Sequence, residues 1–264
     1  MRSIKKIKIF PNNNDKSIKQ SLELERKLKE KGYIIDDSDF DLAIAVGGDG
    51  SFLRMVKSCE FSEDLYYLGV NTGTLGFAQE IYPKDTDVFL EKLSSSDFKL
   101  EEVGIEETVV HTKNSISNFH SLNEVLVRDR ELHTARLKIY INENLLEKFV
   151  GDGVLLSTSF GSTAYNLNFG GSIVYNDLHT IQITPIAPLN SKSYQVLRNS
   201  VIIPEDRIVT IIPDDNSSNL KITVDGENSD FKNVTKIVTS VDKKIKCLRM
   251  KDYDYTKKIN EKFL

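Results

Sequence analysis

The chain has 264 residues, enough for about two domains whose cores need no disulfide or metal staple. At 39% hydrophobic and 28% charged residues it is too apolar to be wholly disordered. Its 35 basic and 39 acidic residues leave a formal net charge of −4, which excludes a global basic field for gathering nucleic acid or anionic membrane. Ile4–Phe10 reads as a short strand. A helix follows over Lys16–Lys31, capped by Asn14 or Asp15, with Ile18, Leu22, Leu24 and Leu28 as its apolar positions and Gly32 as its stop. Asp41–Val46 is an almost unbroken apolar run, as expected of a strand buried on both faces. A helix over Ser51–Ser58, a buried strand over Leu65–Val70 and a short helix over Asp85–Ser94 complete an alternation that predicts an open, mostly parallel α/β sheet.

After about Leu100 the texture changes. Thr108–Thr112, Leu122–Val127, Ala135–Ile141, Val154–Ser157, Arg207–Ile212, Leu220–Val224, Lys236–Ser240 and Lys243–Leu248 are short and rich in Val, Ile and Thr, with a turn at Asn142–Asn144. They predict a mostly antiparallel all-β domain. The organisation expected is an α/β domain over 1–100, a β domain over 101–250, and a tail or helix over 251–264 packing back on the first domain.

Several chemistries find no support. Cys59 and Cys247 form no CxxC pair, so neither a zinc site nor a disulfide framework is indicated and a reducing compartment is expected. The four histidines show no HExxH or HxH spacing and read as structural or surface groups. No apolar run approaches the roughly 18 residues of a membrane span, and the basic N-terminus is too short and broken in its apolar stretch for a signal peptide. A soluble, cytoplasmic protein is expected.

The sharpest local feature is Gly47-Gly48-Asp49-Gly50, followed by Ser51, at the carboxyl end of a buried strand. In open α/β sheets ligands bind at that edge, where glycines let backbone N–H groups approach a phosphate. An aspartate repels phosphate, so Asp49 needs another reason. It can take a proton from a hydroxyl nucleophile, hold a Mg²⁺ that carries phosphates, or cap the next helix. A second turn, Thr72-Gly73-Thr74-Leu75-Gly76-Phe77, lands at the same edge one strand over; neither turn is a Walker A loop or a GxGxxG fingerprint. In the β domain, Asn123-Glu124 is either an exposed polar pair or a recognition pair. The segment from Gly151-Asp152-Gly153 through Ser157-Thr158, Gly161-Ser162-Thr163-Ala164-Tyr165 and on to Gly170-Gly171 packs hydroxyls, glycines and a carboxylate suited to a sugar or base. No GxSxG occurs, so a serine hydrolase is not supported.

Taken together, these motifs resemble the NAD kinase family, in the family's order and across most of the chain. The first motif alone is shared with phosphofructokinases and lipid kinases; the β-domain segment is particular to NAD kinases. The resemblance implies an α/β domain followed by a β-sandwich, with the nucleotide in a crevice between them. It implies phosphoryl transfer from ATP or polyphosphate to the adenosine-ribose 2′-hydroxyl of NAD, a divalent cation such as Mg²⁺, and a homodimer or homotetramer. Carried over by residue, Asp49 is the general base and Gly47, Gly48, Gly50, Arg54, Thr72 and Gly73 face phosphates. Gly50, Phe77, Asn123, Glu124, Asp152, Thr163, Ala164, Tyr165, Asn168 and Ala187 belong to the NAD site, in part from a neighbouring subunit. Val150 stands where many members place an arginine, leaving Lys148 as the candidate for that contact. A lipid or sugar kinase would share the first motif without Asn123-Glu124, and a non-catalytic NAD sensor would not need Asp49.

Overall fold

The computed structural model describes every residue except Met1, Arg2, Thr74, Leu75, Leu132, Ser193, Asp215 and Asn216. The chain divides into two compact units, residues 1–102 with 245–264 and residues 103–244. The chain crosses from one unit to the other within two long strands, β5 (Phe98–Thr112) and β16 (Val234–Met250).

The first unit begins with β1 (Lys6–Pro11), α1 (Asp15–Glu30), β2 (Ile34–Ile35) and β3 (Leu42–Gly47). It continues with α2 (Asp49–Ser58), β4 (Tyr66–Asn71) and α3 (Thr86–Ser95), and it closes with the end of β16 and α5 (Tyr255–Phe263). Its sheet runs β2-β1-β3-β4-β16, with every neighbouring pair parallel. β3 and β4 are buried at all six positions each, as their apolar runs demand. Ile7, Leu24, Ile44, Leu68, Phe89 and Leu248 centre the core, and each such side chain contributes about 1.5–3 kcal/mol by leaving water.

Helix α1 departs from its expected face. Asn14 is the cap, its side chain accepting from Ser17 N, and the helix stops before Gly32. Leu24 and Leu28 are buried, but Ile18 and Leu22 are 40% and 62% exposed, and Ser17 and Ser21 take the inner positions instead. Both serines are satisfied there: Ser17 Oγ meets the Thr72 hydroxyl at 2.7 Å and Ser21 Oγ donates to Ile18 O. Small hydroxyl residues let the helix lie close to the chain leaving β4, which an apolar count does not detect.

Arg249, on β16, is 1% exposed. Its Nε and Nη2 donate to Glu101 Oε2 at 2.8 and 2.7 Å, and Nη1 stands 3.4 Å from Glu80 Oε2. The guanidinium therefore keeps its charge by burying its counter-ions with it. Residues Ile245–Met250, expected in the β domain, belong to this first unit.

The second unit is an antiparallel β-sandwich. It adds β6 (Ile116–Ser121), β7 (Glu124–Asp129), β8 (Ala135–Ile141), β9 (Asn144–Gly151) and β10 (Gly153–Thr158). After a one-turn helix, α4 (Tyr165–Asn168), come β11 (Thr180–Ile186), β12 (Val201–Pro204), β13 (Val209–Pro213), β14 (Leu220–Val224) and β15 (Glu227–Phe231). One sheet runs β12-β11-β10-β7-β14-β15. The other sets β9, β8 and β13 beside β16, with β5 and β6 on its flank. Val127, Ile139, Phe149, Leu156, Ile211 and Ile222 belong to the core between them. The two strands expected at Lys236–Ser240 and Lys243–Leu248 are one, and β6, β9, β11, β12 and β15 were absent from the sequence reading.

Candidate functional site

Gly47 pairs with Asn71 at the ends of the parallel strands β3 and β4, so the two glycine-rich turns leave adjacent strands at one edge. Asp49 is the first residue of α2 and is exposed, while Gly48 is the N-cap and offers no side-chain bond. The capping role for Asp49 is therefore not realised. Its carboxylate turns to the second turn instead: Phe77 N donates to Oδ2 and Ala78 N to Oδ1, both at 3.0 Å. An ionised carboxylate has about four lone-pair sites, so these two bonds orient the group and leave each oxygen able to accept once more. Gly76 makes the arrangement possible, because a Cβ there would lie 2.1 Å from Asp49 Oδ1.

The other expected phosphate-facing residues are placed unevenly. Gly48 is half-buried, and Gly50 and Gly73 are exposed at this edge. Gly47 is buried beneath, its carbonyl accepting from Thr72 N. Thr72 is buried and spends its hydroxyl on Ser17. Arg54 is exposed, with Nη2 donating to Asn12 Oδ1 and Ser51 Oγ. Phe77 packs against the Tyr255 and Phe263 rings of α5, at 5.8 and 5.4 Å between centroids. Thr74 and Leu75 of the expected motif lie outside the described residues.

In the second unit, Asn123, Glu124 and Tyr165 line a cavity of about 380 Å³, joined by Arg128, Thr223, Asp225 and Asn228. Glu124 is not the exposed partner of a polar pair: it is 7% exposed. Burial, reinforced by the Asp225 charge, pushes its carboxyl up to about 8, although it accepts the Tyr165 backbone N–H. Oε2 has no hydrogen-bond partner among the described residues. Glu106, fully buried behind this segment and bonded by Ser121 Oγ at 3.0 Å, is pushed well above the carboxylate range by its burial.

Asp225 is the residue that sequence reasoning missed. Its carboxylate accepts from Leu122 N, Asn123 N and Glu124 N at 2.8, 2.8 and 3.2 Å and so fixes the backbone of the recognition pair. Asp225 and Gly226 both have positive φ, at 47° and 87°, in the two-residue turn joining β14 to β15. An Asp-Gly dipeptide between alternating strands is the signal that could have found it. From the other side, Gly161 packs on the Asn123 carbonyl so closely that a Cβ would stand 2.0 Å from that oxygen. Thr163 and Ala164 are half-buried in the turn before α4, and Asn168, the last residue of α4, is exposed.

Asp152 and Ala187 are elsewhere. Asp152 N donates to Ile186 O, and Ala187 follows β11 with a φ of 44°. In the pairing of β7 with β10, Glu124 faces Ser157 and Arg128 faces Gly153. Four residues of antiparallel strand, about 14 Å, therefore separate the Glu124 end from the Asp152 end. Lys148 is exposed and lines a different cavity of about 340 Å³ with Arg136, Lys138, Val150, Tyr194 and Asp214. Among the described residues no three His, Cys, Asp or Glu side chains stand together as metal ligands, and both cysteines are free. No helix is long and apolar enough to cross a membrane, which says nothing of a β-barrel.

Comparison with known proteins bears on the whole chain. The ATP-NAD kinase N-terminal domain matches residues 6–98 and the ATP-NAD kinase C-terminal domain matches residues 122–250. An NAD kinase of Finegoldia magna is 38% identical over 98% of this chain and 97% of its own length. One from Lactobacillus acidophilus is 34% identical over 88% and 86%. Among solved structures, yeast NADH kinase complexed with NADH superposes with a TM-score of 0.87 at 23% identity, covering 99% of this chain and 88% of that one. An Archaeoglobus fulgidus NAD kinase in complex with ATP gives a TM-score of 0.71 at 19% identity, covering 97% and 98%. Two matched domains in order, and a relative aligned almost end to end, establish that the chain belongs to the NAD kinase family, whose members are phosphotransferases.

Proposed function

We propose that the chain moves the terminal phosphoryl group of ATP onto the adenosine-ribose 2′-hydroxyl of NAD, with Asp49 as general base. The observation that carries this reading is the Asp49 carboxylate, exposed at the carboxyl edge of a parallel sheet and aimed by two backbone amides. A ribose hydroxyl is a weak acid and a poor nucleophile. As its oxygen bonds to phosphorus, its proton passes to Asp49, and the bond from phosphorus to the bridging oxygen breaks, releasing ADP. The work left to the protein is alignment and neutralisation of charge, for which the exposed turn glycines and the N-terminus of α2 offer backbone N–H groups. A divalent cation enters with the ATP as part of the substrate, its charge offsetting that of the phosphates.

Asn123 and Glu124 recognise the adenine. A neutral Glu124 carboxyl presents both a donor and acceptors, which suits a purine edge carrying the N7 acceptor and the N6 amino donor. Asp152 and Ala187, at the far end of the strands, act on NAD held by a second copy of the chain, so a homodimer or homotetramer is the working form; light scattering showing only monomer under assay conditions would sink this part. The free cysteines accord with a reducing, cytoplasmic setting.

The test is direct. Purified protein is incubated with NAD, Mg²⁺ and either ATP or polyphosphate, and NADP is measured. Asp49→Asn should lower turnover by about 10²-fold or more while calorimetry shows NAD binding nearly intact. Near-normal turnover in that variant would refute the base assignment; NAD binding without NADP from the native chain would favour a sensor.

A further inference from the structure

The cradle of Asp49 is itself held from behind by the C-terminal helix. Lys258, on α5, is 9% exposed. Its Nζ donates to Phe77 O at 3.3 Å and to Gln79 O, stands 3.7 Å from Glu80 Oε2, and lies 4.9 Å from the centre of the Tyr253 ring. The carbonyl of Phe77 and the N–H of Ala78 are the two ends of one peptide group. The ammonium therefore holds the oxygen of the same amide whose hydrogen points at Asp49 Oδ1. A cation on the carbonyl polarises the amide and strengthens its N–H as a donor, so the carboxylate, the peptide and the ammonium form one cooperative chain. The next peptide is tied in the same way, since Arg249 Nη1 donates to Ala78 O at 3.2 Å.

We propose that Lys258 is a positioning residue for Asp49, its charge polarising and fixing the Phe77–Ala78 peptide that orients the reactive carboxylate. The inference rests on the reading of Asp49 as the base and adds a requirement to it: the carboxylate is set by a residue more than two hundred positions away in sequence. A buried lysine is a costly way to hold a loop, because its charge must be desolvated. Glu80 from the loop, Arg249 and Glu101 from β16 and β5, Tyr253, and Asp49 from α2 are the charged and titratable groups around it. Burial and the neighbouring Arg249 bring the ammonium down to about 8, despite the acids. The positioning charge is thus present at pH 7 and withdrawn within reach of an assay.

The experiment compares the native chain with Lys258→Met, which keeps the stem and removes the charge. Three readouts are taken: kcat and KM for NAD from pH 6 to 9.5, amide hydrogen exchange at Phe77 and Ala78, and thermal melting. The variant should lose about 10-fold in kcat with KM for NAD within about twofold, since a misaimed base alters the transition state and not ground-state binding. The native chain should show an alkaline fall in kcat as Lys258 loses its proton near pH 8, and the variant should lack that limb. The Phe77 and Ala78 amides should exchange about 10-fold faster in the variant. Native kcat with native amide protection overturns the proposal, and so does a loss of activity explained wholly by a smaller folded fraction. If the native chain itself makes no NADP, the reading of the reaction fails; the exchange of those two amides then decides the positioning claim on its own.

Discussion

Gly76→Ala puts one methyl group where the structure has room for none. The added Cβ would lie 2.1 Å from Asp49 Oδ1 and 2.7 Å from its Cγ, whereas ordinary contact begins at 3.4 Å, so about 1.3 Å of separation must be found. The conflict falls on the carboxylate, since Asp49 Oδ1, Cγ and Oδ2 are the nearest atoms to the added carbon. Displacing a reacting group by about 1 Å can cost about 10²-fold in rate, or roughly 2.7 kcal/mol of barrier. The fold should lose about 1–3 kcal/mol, the cost of leaving the buried Phe77 and Ala78 amides without their acceptor. The assay is steady-state NADP formation with melting curves, repeated in an Asp49→Asn background. There Gly76→Ala should change kcat by less than about twofold, since both substitutions act through one group. Native turnover in Gly76→Ala, or full additivity in the double variant, would show that the carboxylate is not where the chemistry occurs.

Asn123→Ala should raise KM for NAD by more than it lowers kcat, and unchanged NAD affinity in a titration would return Asn123 to a merely structural role. Glu124 has a raised pKa in the fold, about 8 against an ordinary 4.5. Between those values the folded chain holds the extra proton, so its contribution to stability is present at low pH and lost as pH rises through about 8. Melting temperatures should accordingly fall from pH 6 to 9 in the native chain and fall less in Glu124→Gln; parallel curves would contradict this. Arg249→Met strands Glu101 without its cation, leaves Glu80 with Lys258 alone, and should destabilise by about 3–5 kcal/mol in urea unfolding. A loss below about 1 kcal/mol would mean that these carboxyls are neutral in the fold.

What could be read from the sequence was whatever depends on neighbours in the chain. Leu42–Val46 announces a buried parallel strand because every residue is apolar, and Gly47-Gly48-Asp49-Gly50 marks the strand's end because three glycines in four residues break the apolar run. Features that depend on distant partners were not legible. Ser17 is buried with its hydroxyl paired to that of Thr72, 55 residues away. Arg249 reads as a surface arginine until Glu80 and Glu101 are folded against it. Strands such as Ile116–Ser121 and Glu227–Phe231, largely polar and partly exposed, carry too little apolar alternation to stand out. In the candidate site, Asn123 and Glu124 were visible as residue types, but the Asp225 clamp and the burial that protonates Glu124 arise only when β14 lies beside β7.

The interleaving of the two units bears on how the chain is made. A ribosome releases residues 1–102 first, yet the strand that completes their sheet against Tyr66 and Tyr67 is encoded after position 244. Until the whole intervening sandwich has been synthesised, Glu80 and Glu101 have no Arg249 and the loop above Asp49 has no Lys258. Loss of residues 245–264 would therefore remove both the strand that closes this sheet and the lysine behind the Asp49 loop, even where the sandwich has folded.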